Sequence, residues 1–260
     1  MSDRLQTIIT SVVTIVVIFV LWEIGVRLFN IPEFLVPTPT AVLAKMAEKA
    51  SLFSMHFYVT LYETLLGFLL GVVIGIACAS VIVYSRFLAN VIFPVIVILQ
   101  IVPKVAIAPL FLIWFGYGWE SKMLIAFLIA FFPIIVNTVS GLRSVEPEMI
   151  ELVRSLEATN WQIFRKVRLP NSLPYIFSGL KISITLAVIG AIIGEFVGGN
   201  EGLGYLIIVA NFELDTPLMF GSLVLLSLMG LVLYGIIELL ERLLIPWSTT
   251  EEEKVVAVGM

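Results

Sequence analysis

The chain has 260 residues, 60% of them hydrophobic and only 13% charged, with a formal net charge of −4 and a mean hydropathy of +1.10. Soluble domains are roughly 45–50% apolar and about 25% charged, so the composition excludes a water-soluble enzyme and describes an integral membrane protein. Lipid offers no partner to backbone polar groups, and apolar runs of about twenty residues, rather than alternating segments of about ten, select a helical bundle over a barrel.

In chain order, runs of bilayer length predict spans at 7–29, 57–84, 87–115, 120–142, 172–197 and 217–245. The first is too long for a signal-peptide core and lacks a small-residue cleavage site, which predicts a retained span. The third carries Pro94, Pro103 and Pro109. Each removes a donor and kinks a helix, so a bent, pore-side element is expected there. The tail at 248–260, with Glu251, Glu252 and Glu253, reads as a solvated acidic end. The whole of 1–260 reads as one transmembrane domain. Cys78 and His56 are each alone of their type; His56 suits a membrane-interface position, and no cluster has metal-ligand spacing.

Lys and Arg mark the cytoplasmic side of a membrane protein. With both termini inside, that side holds Arg4, Arg86, Arg143, Arg154, Arg165, Lys166, Arg168, Arg242 and Lys254, and the outer side holds Arg27, Lys45, Lys49 and Lys122. The connection bearing Asn200, Glu201, Glu213 and Asp215 has no Lys or Arg. Small residues at Gly67, Gly71, Gly75 and Ala79, and again at Gly190, Gly194 and Gly198, recur every fourth position, the spacing that lets another helix approach closely.

Between the fourth and fifth spans lies a polar island, 143–170, with Glu146, Glu148, Glu151 and Glu157 set against Arg154, Arg165, Lys166 and Arg168. Met149, Leu152, Val153 and Leu156 recur at helical spacing. A second short helix follows, capped by Thr159 or Asn160 and stopped by Leu169-Pro170, with Trp161, Phe164 and Val167 on one face. From the residues alone this is either a docking element or an amphipathic pair lying in the headgroups.

The island resembles the cytoplasmic signature loop of ABC importer permeases, the membrane subunits of binding-protein-dependent uptake systems. That pattern runs Glu-Ala-Ala, three residues, Gly, nine residues, Ile, any residue, Leu-Pro. Glu151-Leu152-Val153 stands at its acidic start and Val167-Arg168-Leu169-Pro170 at its end, in register; Glu157 takes the place of the glycine. Further stretches resemble the nitrate, sulfonate, taurine, thiamine-precursor and riboflavin branch. They are Phe34 to Pro39, Ile101 to Leu110 with Trp114-Phe115-Gly116, Leu173 to Lys181, Gly194-Glu195-Phe196 and Gly202 to Ile207.

The resemblance implies an all-α type I ABC importer transmembrane domain, six spans with a cytoplasmic two-helix coupling loop, in a bacterial or archaeal plasma (inner) membrane. It implies a second permease copy, two ATP-binding subunits, and an extracytoplasmic binding protein that delivers substrate; nucleic acid plays no part. No G-x-x-x-x-G-K-[ST] phosphate loop occurs in the chain. No cofactor is therefore expected here, and ATP and magnesium would sit on the partner. Glu151, Arg154, Leu156, Glu157, Trp161, Phe164, Arg165, Val167, Leu169 and Pro170 would couple to that ATPase. Candidates for the pathway or an external gate are Lys104, Trp114, Glu195, Glu201, Gly202 and Gly204, with Lys104 placed to meet an anionic substrate or to pair with Glu195. Glu63, near the outer end of its span, would snorkel toward water.

The fifth span and the loop after it resemble most the members of this branch that handle aromatic heterocycles, which implies a substrate such as a pyrimidine thiamine precursor or riboflavin. Sulfonate, taurine and nitrate are the alternative. An ATP-independent carrier or channel is more distant, and one His, one Cys and scattered charges disfavour an intramembrane enzyme.

Overall fold

The computed structural model describes residues 2–85 and 87–247; Arg86 and the acidic tail at 248–260 lie outside the described residues. Among those described there is helix and no strand. The α-helices are α1 (Ser2–Leu28), α2 (Pro39–Glu48), α3 (Ala50–Tyr84), α4 (Phe93–Leu99), α5 (Lys104–Phe115), α6 (Trp119–Arg143), α7 (Pro147–Ser155), α8 (Asn160–Ile163), α9 (Leu169–Gly198), α10 (Leu203–Glu213) and α11 (Thr216–Leu244). Four continuous helices are long and apolar enough to cross a membrane: Ala50–Tyr84, Trp119–Arg143, Asn160–Gly198 and Thr216–Leu244. The residues group into two compact units, 1–60 with 199–227, and 61–198 with 228–260.

The larger unit is organised by α6. Its middle is buried on two sides, with Ile125, Ala126, Ala130, Ile134 and Ile135 at most 1% exposed. A methyl group placed on Gly67 of α3 would lie 2.6 Å from Ala126 Cβ, and one on Gly75 would lie 2.9 Å from Ile134 Cγ2. From the opposite flank, a methyl on Gly190 of α9 would meet Ala126 Cα at 2.6 Å, and one on Gly194 would meet Lys122 Cγ at 2.9 Å. Ala126 is thus gripped between a glycine of α3 and a glycine of α9. Packing of this kind is what holds helices together in lipid, where burying apolar surface gains little.

The region read as a third span is two helices, preceded by a π turn at Leu88–Ile92 and bent by 94° at a break between Leu99 and Lys104. The prolines explain the form. Pro103 is the N-cap residue of α5, a place that needs no donor; Pro94 follows directly on the π turn within the continuous run Leu88–Leu99, and Pro109 lies inside α5. The two ends of the bent pair sit at opposite ends of the unit. Arg143, at the C-terminus of α6, lies 5.6 Å over the Phe93 ring, whereas Leu112 lies beside Gly198 at the far end of α9. That makes it a broken span rather than a re-entrant loop.

In the smaller unit polar ties join the helix ends. Glu23 of α1 pairs with Arg27 at 2.5 Å and accepts both the backbone N–H and the hydroxyl of Thr40 at 3.1 and 2.8 Å. Thr38 caps α2, accepting the Ala41 N–H at 3.2 Å, with Pro39 in the first turn. Lys45 bridges to Asp215 at 2.9 Å, and this bond raises the Lys45 pKa above its usual value. Asp215 in turn accepts the Leu218 N–H at the start of α11, and the Thr216 hydroxyl donates to the Phe34 carbonyl at 2.7 Å.

One sequence expectation fails here: Glu63 does not snorkel, being only 2% exposed. Lys122 is 3% exposed. Lys122 Nζ folds back to the carbonyls of Tyr117 and, at 3.1 Å, Gly118, which closes the exposed start of α6 over the ammonium.

Gly190→Leu has no space against the Ala126 backbone and should destabilise the protein by about 1–3 kcal/mol, the usual cost of overpacking. Gly230 of α11 has no neighbouring atom within 4 Å of an added methyl, so Gly230→Ala should leave stability within about 0.5 kcal/mol. Equilibrium unfolding of both variants in one detergent would check the contrast.

Candidate functional site

The polar island folds as a compact helix–turn–helix at the end of the larger unit where Tyr84, Phe93, Arg143 and Asn160 come together. Ser144 closes α6, its hydroxyl donating to the Gly141 carbonyl at 2.9 Å and accepting from Asn171 Nδ2 at 2.8 Å. Pro147 then opens α7 in its first turn.

The turn out of α7 settles what Glu157 does. Its φ is +60°, the left-handed conformation for which glycine is the ordinary choice. The Glu157 N–H reaches the Arg154 carbonyl at 2.9 Å and the Ala158 N–H reaches the Val153 carbonyl at 3.2 Å. These two bonds define a Schellman cap, built on a glutamate at the position where the resembling pattern has glycine. The backbone therefore keeps the glycine geometry at a cost of roughly 1–2 kcal/mol for an L-residue.

Thr159 caps the next helix. Its hydroxyl accepts the Gln162 N–H at 3.3 Å, and Gln162 Oε1 accepts the Thr159 N–H at 2.8 Å, a reciprocal capping box. The helix does not stop at Leu169-Pro170. It passes through a π turn at Phe164–Arg168 straight into α9, so Asn160–Gly198 is one continuous run of 39 residues. A proline inside a helix lacks a donor and crowds the carbonyl four residues back; the wider π turn immediately before Pro170 re-registers the ladder and relieves both.

Two isoleucines fasten this element inward: Ile150 is 8% exposed and Ile163 is 4% exposed. Around them the apolar side chains divide. Met149, Leu152, Leu156 and Trp161 remain 46, 57, 74 and 64% exposed. Phe164 is half-buried, stacked on Trp161 at 5.8 Å and tilted against Tyr84 at 5.6 Å; the Tyr84 hydroxyl donates to the Asn160 carbonyl at 3.3 Å. Val167, Leu169 and Pro170 are half-buried, whereas Glu151, Arg154 and Arg165 stand in solvent with Glu157. The loop thus exposes large apolar and charged side chains together. Ile150, Ile163 and Tyr84 were not picked out in the sequence; the isoleucines carried only helical spacing, and Tyr84 lies far away in the chain.

Within the larger unit, Lys104 and Glu195 do not meet. Lys104 Nζ donates to the Gln100 carbonyl and lies 4.8 Å over the Phe132 ring, rather than meeting Glu195. Glu195 is 1% exposed on α9, while Trp114 is 64% exposed on α5 with its ring 6.0 Å from Phe111. Gly202, with φ +104°, is the N-cap residue of α10, and Gly204 is buried in the first turn of that helix. Glu201 is exposed beside them.

The architecture is that of a type I ABC importer transmembrane domain. It superimposes on a chain of the MetNI methionine ABC transporter, solved in inward-facing conformations, with a TM-score of 0.67 at 22% identity, covering 75% of this chain and 97% of that one. Residues 71–247 match the family described as binding-protein-dependent transport system inner membrane component, and the chain belongs to that family, as a transport permease subunit and not a catalytic one. It is 41% identical over 240 residues to the riboflavin transport system permease protein RibX of Chloroflexus aurantiacus, covering 92% of this chain and 90% of that protein. It is 36% identical to the formylaminopyrimidine transport permease protein ThiX of Halalkalibacterium halodurans, covering 88% and 92%.

Replacing Glu157 by glycine should relieve the left-handed strain and stabilise the α7–α8 turn by about 1 kcal/mol, while valine there should destabilise it by a similar amount or more. Hydrogen exchange at the Ala158 amide, compared across the three proteins, would read this directly.

Proposed function

We propose that this chain is half of the translocation pore of an ATP-driven importer, with the 143–170 loop docking a separate ATP-hydrolysing subunit. The observation that carries the proposal is the outward exposure of Met149, Leu152, Leu156 and Trp161 on a loop held by a Schellman cap after α7 and a capping box before α8. Soluble surfaces rarely leave four such side chains grouped and wet, and apolar patches rimmed by charge mark partner sites. Leu156 and Trp161 are the apolar anchors, Phe164 backs Trp161 from within, and Glu151, Arg154 and Arg165 set register at the rim. ATP and magnesium belong to the partner.

Six spans follow from α1, α3, the bent α4–α5 pair, α6, α9 and α11, with both termini and the loop in the cytoplasm. A second copy of this chain completes the pore, and an external binding protein delivers the substrate. Closure of two ATPase subunits on ATP moves each docked loop, and the two halves rock between inward- and outward-open states. ATP drives this cycle only through its differential affinity for those states. The substrate is an aromatic heterocycle of the riboflavin or pyrimidine-precursor kind. The similarity to a riboflavin permease and to a formylaminopyrimidine permease supports that reading.

Glu151→Lys combined with Trp161→Ala should lower uptake by about tenfold or more while membrane insertion stays intact, since interface anchors of this size are each worth roughly 2 kcal/mol. Uptake and ATPase activity measured together in proteoliposomes would check it; uptake at the wild-type level would overturn the docking assignment. Competition of uptake by riboflavin, formylaminopyrimidine and taurine, each in turn, tests the substrate class.

A further inference from the structure

The single histidine is used in a way that the transport reading does not require. His56 lies on the second turn of α3 and is 4% exposed. Its Nδ1 accepts the backbone N–H of Gly202 at 2.9 Å, and one turn on, Thr60 Oγ1 accepts the N–H of Leu203 at 2.8 Å. Both N–H groups belong to the start of α10, where the first four amides of a helix have no partner within it. No side chain of the N-cap residue can serve, because that residue is Gly202. Two side chains of α3 therefore supply the cap from outside the helix.

An amide N–H can only donate, so His56 Nδ1 must be a bare lone pair and the ring must be neutral. Protonation would place an N–H on Nδ1 opposite the N–H of Gly202 and a positive charge at the positive end of the α10 dipole. We propose that His56 is a positioning residue that holds the start of α10 only while neutral, making this connection an acid-releasable latch.

Glu201, in the loop before α10, acts electrostatically on the ring, and Tyr205 of α10 lies 5.9 Å from it, tilted. On α3 itself the neighbouring titratable groups are Tyr58, Tyr62 and, two turns on and 2% exposed, Glu63. Helix α11 approaches this part of α3 through Gly221 against Phe53, an apolar contact. Glu201 favours the imidazolium but offers nothing to the Gly202 amide that protonation would orphan. Thr60 does not titrate, so acid loosens the first turn of α10 without detaching all of it.

The latch itself does not depend on the transport reading; only the side of the membrane whose pH acts on it rests on the proposed orientation, which makes it the external side. The test is hydrogen exchange of the amides of residues 202–206 in the full chain reconstituted in lipid nanodiscs, between pH 8 and pH 4.5 and corrected for intrinsic rates. Wild type should lose about tenfold in protection at the acid end, the loss expected for one buried hydrogen bond. His56→Asn keeps an acceptor in the place of Nδ1 and cannot titrate, so it should stay protected throughout, with Glu201 unchanged as an internal control. Acid-independent protection in wild type, or the same acid loss in H56N, would overturn the latch. Absence of ATP-dependent uptake in every form of the protein would overturn the transport reading and leave the exchange result standing.

Discussion

The close approach of three helix backbones at Ala126 is the constraint on which the larger unit depends. In lipid the outer faces of α3, α6 and α9 gain little from burying apolar side chains, so their association must come from atoms in direct contact. Glycines at 67 and 190 remove the side chains that would hold the backbones apart, and the alanine between them is fully enclosed. Once those distances are set, the remaining features have fixed places. Ile134 and Ile135 are buried two turns on, Lys122 is pressed against Gly194, and the far end of α6 delivers the chain into the polar loop.

Much of the architecture was legible because its signals are strong and one-dimensional. Apolar runs of bilayer length, glycines every four residues and clustered prolines each have a direct geometric meaning, and α3, α6, α9, α11 and the 94° break follow from them. The loop was legible for another reason: helix stops and starts are written in a few residue types, and the Thr159–Gln162 box can be read without coordinates. What escaped were features set by neighbours distant in the chain. Helix α2 carries a Thr38-Pro39 start signal, but at ten residues it is too short to stand out as a span. Helix α10 is eleven residues long, too short to register as a span and lacking a cap of its own, since His56 and Thr60 provide it. Glu63 near a helix end suggests water by position alone, and only the packed structure shows that other helices have already taken that space.

Proline and left-handed residues mark a shared limit of pattern reading. Leu169-Pro170 signals a stop wherever a helix has no way to absorb the missing donor, and here a π turn absorbs it. Glu157 signals trouble wherever only glycine can turn, and here two backbone hydrogen bonds hold the turn regardless. Leu214 repeats the second case, with φ +57° and the Asp215 N–H returned to the Ala210 carbonyl at 2.9 Å. At such positions the surrounding fold outweighs a local preference of about 1 kcal/mol.

The uninterrupted passage from Asn160 to Gly198 has a mechanical consequence. At 1.5 Å per residue this rod is about 58 Å long, with Trp161 near one tip and Gly190 wedged on Ala126 toward the other. Along that length it lies on α6, with Ser172 and Tyr175 against Gly141, Gly179 against Asn137 and Gly190 against Ala126, so a push at the Trp161 tip is handed to α6 along the whole contact. Compliance is built in at the π turn of Phe164–Arg168 and at Pro174 inside α9, so those two places set how much of any push is transmitted and how much is absorbed.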